Sequence, residues 1–322
     1  MKSSSSLVVS GIKDTPGRYI PLKYLGEGGM SNVFKIFDRE RGHDVALKVL
    51  DKELAGKDYA RERFHREFAF LKMVNSPFVV EAYEEVQLQD NLPAYTMKYL
   101  PGGDLYNWVE AHHDGSLPLR FTASVMVQLA LALDAIHKER ILHRDVKPEQ
   151  VLIVEQGTSY DALREGEVRV YLIDLGIGKL IDDAEDRPLP GKRRNDYSKY
   201  FARTLTDLYK TVGTPEYMSP EQVGNVLKLD YRSDLYSLGI VLYEMITGHV
   251  PFPRGTNEQK ANAHLTKALR LPHEARGCSE PIPLEEVCCK LLQKDRNERY
   301  QTAREVVHAI LAALPEEDRL HF

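Results

Sequence analysis

The chain has 322 residues, 43% apolar and 28% charged, enough for two compact units or one bilobal one at roughly 150 residues per domain. A formal net charge of −5 supplies no broad basic face, so neither nucleic acid nor an anionic membrane is expected as a partner. Cys278, Cys288 and Cys289 are odd in number and lack paired C-x-x-C spacing, which argues against a disulfide framework or zinc site and for a reducing, cytoplasmic setting.

Residues 1–17 read as a flexible tail, since Leu7, Val8 and Val9 are too short an apolar run for a secretory signal. Three strands are predicted next, Arg18 to Leu25, Asn32 to Asp38 and Asp44 to Leu50. Gly26, Gly28 and Gly29 lie in the first hairpin, where side chains without a Cβ let backbone amides approach a polyanion. By themselves these glycines read more simply as an ordinary hairpin turn. Two other phosphate loops are set aside, because no Gly-Lys-Ser/Thr is present and no helix follows the glycines.

The strand period of two sends Val45, Leu47 and Val49 to one face of the third strand and Ala46 and Lys48 to the other. A lysine on an interior strand needs an anion, although an edge strand facing water stays open as the simpler reading. In the helix predicted over Ala60 to Val74, Glu67 lies within the apolar stripe of Phe64, Phe68 and Leu71, while Glu62 points elsewhere. A buried carboxylate and an interior lysine suggest an ion pair that aims the ammonium at a phosphate.

Further along, a helix is predicted over Phe121 to Lys138 and a strand over Val168 to Ile173. The most apolar runs, Val125 to Ile136 and Leu235 to Ile246, fall below the roughly 18–20 residues that cross a bilayer and read as buried helices, so no membrane insertion is expected. Asp182 to Arg194, acidic and then basic with prolines between, reads as a long loop.

Ile141 to Ile153, with His143-Arg144-Asp145 and Lys147-Pro148-Glu149-Gln150, resembles the catalytic loop of eukaryotic-type serine/threonine protein kinases. Asp174-Leu175-Gly176 resembles their metal-binding triplet, and Gly213 to Glu221 the end of their activation segment, with Asp234 and Arg299 at two further matching positions. The match runs in family order over roughly residues 18–315, and is most similar to bacterial members. It implies an α+β, bilobal protein-kinase-like fold: a small β-rich N-lobe over 18–100, a larger helical C-lobe over 101–315 with the activation segment at 174–221, and a tail at 316–322.

The resemblance further implies ATP with Mg²⁺ or Mn²⁺, and protein substrates bearing Ser or Thr acceptors. Asp145 would accept the hydroxyl proton, Asp174 hold the metal, Lys48 with Glu67 hold the α and β phosphates, and Lys147 meet the γ phosphate. Thr214 with Lys147 matches the serine/threonine branch. Met97 would stand behind the adenine, the backbones of Lys98 and Leu100 on its edge, Val33 and Ala46 over it, and Asp104 toward the ribose. His143 reads as a scaffold residue, because Asp145 already fills the base role. Thr204, Thr206 and Thr211 are candidate phosphorylation sites read by Arg144, with autophosphorylation through a transient homodimer. Asp234 would brace the catalytic loop and Arg299 would pair with Glu221. The main departure is Gln150, where the family places an Asn that ligates a second metal ion, so a nucleotide-binding pseudokinase acting as scaffold or allosteric partner is the rival reading. A small-molecule kinase is a third, disfavoured by the long activation segment.

Overall fold

The computed structural model describes residues 17–88, 91–111, 117–153, 168–175, 179–180, 214–224 and 229–318. The tail at 1–16, the insertion at 155–167, the biased loop at 182–194 and Thr204, Thr206 and Thr211 lie outside the described residues. The chain divides into two compact units, Met1–Gly102 with Ile173–Ile177, and Gly103–Leu172 with Gly178–Phe322. Asp174 therefore belongs to the first unit, although it follows the strand β8 of the second.

The first unit is a five-stranded antiparallel sheet, β1 (Tyr19–Glu27), β2 (Ser31–Asp38), β3 (His43–Leu50), β4 (Ala82–Gln87) and β5 (Pro93–Lys98), in the order β1-β2-β3-β5-β4. Lys48 thus lies on the central strand, and the edge-strand reading fails. Facing residues of neighbouring strands share a side of the sheet. Phe34 opposite Leu47 and Ile36 opposite Val45 build an apolar cluster with Tyr19, Val49, Leu88 and Ala94 on one side. Val33 and Tyr95 opposite Lys48, and Met97 opposite Ala46, mark the other.

Helix α1 (Asp58–Met73) covers this unit with Ala60, Phe64, Glu67, Phe70 and Leu71 buried. The first three and Leu71 follow the seven-residue stripe of an amphipathic helix. Phe70 joins it, whereas Phe68, expected in the stripe, is half-buried with its ring 5.5 Å from that of Tyr95. Asp58 in the first turn complements the helix dipole where Lys57 provides no side-chain cap.

The second unit is helical: α2 (Leu105–Ala111), α3 (Leu119–Lys138), α4 (Pro220–Gly224), α5 (Tyr231–Thr247), α6 (Asn257–Thr266), α7 (Pro272–Ala275), α8 (Glu285–Leu291) and α9 (Ala303–Ala313). Short strands β6 (Ile141–Leu142) and β9 (Lys179–Leu180) pair antiparallel, as do β7 (Val151–Ile153) and β8 (Val170–Leu172). Helix α3 is longer than its apolar run suggested. At 20 residues it meets the length and composition of a bilayer span, yet 72% of that window is buried, against α9, α5 and β8. Its burial, and not its length, makes it a core helix.

Helix α5 is the second core element. Asp230 caps it by accepting from the Arg232 amide, and Gly248 at φ 79° ends it in a left-handed turn that favours glycine. Midway, a Cβ on Gly239 would stand 2.7 Å from the Leu291 Cβ, so the glycine is what allows α8 to lie this close.

Candidate active site

Four side chains meet within the first unit. Lys48 Nζ donates to Glu67 Oε1 at 2.5 Å and lies 3.6 Å from Asp174 Oδ2, and the Tyr95 hydroxyl donates to the same Glu67 oxygen at 2.8 Å. The strand period places Lys48 and Tyr95 side by side, and α1 lowers Glu67 onto them. Burial works against the Lys48 ammonium, but Asp174 and Glu67 outweigh it and raise the group, so the lysine stays charged. Burial pushes the Glu67 carboxyl up, with Asp174 adding to it and Lys48 and Tyr95 opposing. Tyr95 is driven well above its ordinary value by burial and the nearby carboxylates, which keeps it a donor.

The Asp174 side chain is 33% exposed against 6% for Glu67, so it is the carboxylate open to a further cation. Among the described residues no three His, Cys, Asp or Glu cluster as a metal cage. That donor set fits Mg²⁺, which takes one or two carboxylates and completes its shell with water and substrate phosphates. Asp174 also sits at φ 65°, in the left-handed region. Non-glycine residues held there concentrate at functional sites.

The glycine hairpin fits a phosphate for a related reason. Gly28 donates its amide to the Ser31 carbonyl at 2.7 Å, closing the turn. None of Gly26, Gly28 and Gly29 has a positive φ, and a Cβ on Gly26 or Gly29 would meet nothing within 4 Å. Among the described residues, neither backbone conformation nor packing demands glycine here. The missing side chains leave room for something approaching the backbone.

Val33, Ala46 and Met97 share the Lys48 face of the sheet, with Ala46 and Met97 buried and Val33 half-buried. Lys98 donates its amide to the Glu81 carbonyl at 2.9 Å, and Leu100 is buried. Asp104, expected toward the ribose, stands just before α2. Its Oδ1 accepts the Asn107 amide at 2.8 Å and its Oδ2 the Asn107 side chain at 2.7 Å, the contacts of a residue capping α2.

The second unit holds the loop after β6. Asp234, on α5 and 1% exposed, accepts the amides of His143 at 2.9 Å and Arg144 at 2.8 Å and bonds His137 Nε2 at 2.8 Å. Burial would raise this carboxyl, but His137 and the loop outweigh it and hold it low, so it remains an acceptor. Arg144 is thereby held at φ 68°, with its carbonyl taking a bond from Gln222 at 2.9 Å. His143 is fully buried and its Nδ1 faces the Asp145 amide at 3.3 Å, the position of a scaffold residue.

Beyond that brace Lys147 Nζ lies 3.0 Å from Asp145 Oδ2 and donates to Thr214 Oγ1 at 3.1 Å. Three of the expected residues therefore meet in one cluster. Gln150 ends the 3₁₀ turn Pro148–Gln150, its amide donating to the Lys147 carbonyl at 3.0 Å. Among the buried contacts that the sequence does not announce, two involve tyrosine hydroxyls on carboxylates. One is Tyr95 on Glu67, legible only as a polar-tipped aromatic on the Lys48 face. The other is Tyr217, whose hydroxyl meets Glu244 at 2.5 Å and which no local pattern marks.

Residues 19–311 match the family model for the protein kinase domain. A probable serine/threonine-protein kinase of Clostridium perfringens is 33% identical over 290 residues, covering 90% of this chain and 37% of the relative. The probable serine/threonine-protein kinase PknB of Bifidobacterium longum is 33% identical over 303 residues, 92% of this chain and 39% of the relative. The PknB of Mycobacterium leprae is 32% identical over 285 residues, 88% and 40%. The chain spans about two-fifths of the length of these curated relatives.

Proposed function

The chain belongs to the protein kinase family, and from that membership we propose that it is an ATP-dependent kinase transferring the γ-phosphoryl group to Ser or Thr hydroxyls of proteins. The observation that carries this reading is the buried Lys48–Glu67 pair with Asp174 beside it. Its carboxylates keep the buried Lys48 charged, and a phosphate is an anion that such a lysine can hold.

Phosphoryl transfer passes through a loose transition state with charge on the equatorial oxygens, so the residues mainly position groups and place cations. Lys48, oriented by Glu67, would hold the α and β phosphates. Asp174 would hold Mg²⁺, which when bound neutralises phosphate charge. The glycine hairpin, with no side chains to bar the approach, would lie along the phosphates, and Val33, Ala46 and Met97 would form the apolar wall for adenine. Asp145 would orient the acceptor hydroxyl and take its proton, and Lys147, held between Asp145 and Thr214, would neutralise the transferring group. Autophosphorylation in trans on Thr204, Thr206 or Thr211, read by Arg144, would follow from the same chemistry. Three free thiols support a reducing compartment, and we place the activity in the cytoplasm.

Transfer from radiolabelled ATP to a basic protein substrate tests this, with Lys48→Met and Asp145→Asn as paired variants. Each should remain folded and lose on the order of 10³ in rate, about 4 kcal/mol of transition-state stabilisation. A folded Lys48→Met chain retaining more than about a tenth of wild-type turnover would exclude the assigned role.

A further inference from the structure

We infer that Tyr95 is a positioning residue for phosphate binding, acting through Glu67 to hold Lys48; this rests on the kinase reading above. Its hydroxyl donates to Glu67 Oε1 at 2.8 Å, the oxygen that also receives Lys48 Nζ. One carboxylate oxygen is thus held from two neighbouring strands at once, Lys48 on β3 and Tyr95 directly opposite on β5.

The ring is fixed as firmly as the hydroxyl. Tyr95 is fully buried, with the rings of Phe64 and Phe68 at 5.1 and 5.5 Å. Those phenylalanines stand three residues before Glu67 and one after it on α1, so the tyrosine enters the helix surface beside the carboxylate. Sliding or rotating α1 would break the aromatic contacts and the hydrogen bond together. A lysine partner alone would not resist this, because a four-carbon stem can follow a moving carboxylate. A rigid phenol with two torsions, itself anchored in the sheet, cannot follow. The tyrosine therefore turns the position of α1 into a property of the sheet and keeps the Lys48 ammonium aimed.

The hydroxyl also limits how Glu67 can use its charge. Hydrogen bonds to a charged acceptor are stronger than neutral ones and directional. With Oε1 receiving both donors, the carboxylate is kept from swinging away to solvent, and Lys48 keeps a partner before any nucleotide arrives. Preorganisation of this kind is read out as phosphate affinity and rate, beyond its contribution to folding.

Tyr95→Phe retains the ring and removes the hydroxyl. We expect the KM for ATP to rise and kcat/KM for ATP to fall about tenfold, equivalent to ~1.4 kcal/mol, with the KM for the protein substrate unchanged. In a Glu67→Ala background the same substitution should have no further effect on ATP affinity measured calorimetrically, because its route is gone. A purely structural tyrosine would lower the melting temperature while leaving the ATP parameters and their coupling to Glu67 untouched, and that result overturns the inference alone. A wild type that binds no ATP overturns it together with the kinase reading. A wild type that binds ATP without transferring phosphate refutes the kinase reading, and the calorimetric cycle then decides Tyr95 by itself.

Discussion

Arg299 grips Glu221 at two points, Nη1 to Oε1 at 2.8 Å and Nη2 to Oε2 at 2.9 Å, with the arginine side chain fully buried. The fork-on-fork geometry is the strongest form of this contact. Ser233 donates to the same Glu221 Oε1 at 2.7 Å, and Arg299 also donates to the carbonyls of Arg232, Gln293 and Lys294. The pair therefore joins the start of α4, the start of α5 and the loop before α9.

Removing one side of such a pair leaves an uncompensated charge, so Arg299→Ala should cost about 3–5 kcal/mol in urea unfolding. Arg299→Met combined with Glu221→Gln should recover part of the loss, because no charge is then stranded. Burial alone would raise the Glu221 carboxyl, but Arg299 outweighs it and lowers it below 4.5. A lowered carboxyl contributes stability that is full above its unfolded value and is lost as pH falls through its folded one. The wild-type advantage over the double variant should therefore shrink below about pH 4.5 and be constant above it. A single-variant loss under about 1 kcal/mol would show the pair to be worth no more than a surface one.

His264 on α6 titrates in a different window. It is fully buried, 3.0 Å from the Tyr236 hydroxyl and edge-on to Phe252 at 5.1 Å, and burial together with Lys294 lowers it from 6.5 to about 4. A histidine lowered in the folded state binds its proton first in the unfolded chain, so stability falls as pH drops from 6.5 toward 4. The full loss is on the order of 3 kcal/mol. His264→Gln keeps an acceptor for Tyr236 and removes the titration. Urea midpoints taken from pH 7 to 4 should converge for the two proteins, and parallel curves would mean that His264 does not titrate in that range.

What the sequence made legible was local periodicity. Lys48 shares a face with Ala46 because strands alternate, and Glu67 belongs to a buried stripe because helices repeat at 3.6 residues; both follow from neighbours in the chain. Phe70, three residues after Glu67 and beside Leu71, also fits the helical period; choosing Phe68 in its place widened the stripe to the wrong side. For Asp104 the resemblance points to the ribose, and Asp104 followed by Asn107 at a helix start is a capping pattern legible beside it. The contacts of Asp234 with the amides of His143 and Arg144 span some ninety residues, and only the family resemblance anticipated them. The left-handed backbone of Arg144 had no signature at all, since arginine is not a residue that prefers it.

Gln150 tests how firmly this loop is held. Its amide closes the 3₁₀ turn on Lys147, and the next residues enter β7, where Val151 pairs Leu172 and Ile153 donates to the Gly103 carbonyl at 2.9 Å. Asp104 and Leu152 form a further bridge. Pinned on both sides, the backbone at 150 has little room to retreat, so an extra methylene displaces the side-chain amide by on the order of 1.5 Å from where an Asn would put it. Mg²⁺ demands oxygens at about 2.0–2.1 Å, so that displacement exceeds what its coordination tolerates. The wild type should then transfer phosphate with a high Mg²⁺ requirement, the Asp174 ion being held and the second one weakly. Gln150→Asn should raise the rate severalfold and lower the Mg²⁺ concentration for half-maximal activity, with the melting temperature unchanged. If Gln150→Asn instead slows transfer and raises the Mg²⁺ requirement, the glutamine oxygen already stands at bonding distance and the pinned-loop argument fails. A wild type that binds ATP and transfers nothing across a Mg²⁺ and Mn²⁺ titration, with Gln150→Asn equally silent, would make the chain a nucleotide-binding scaffold.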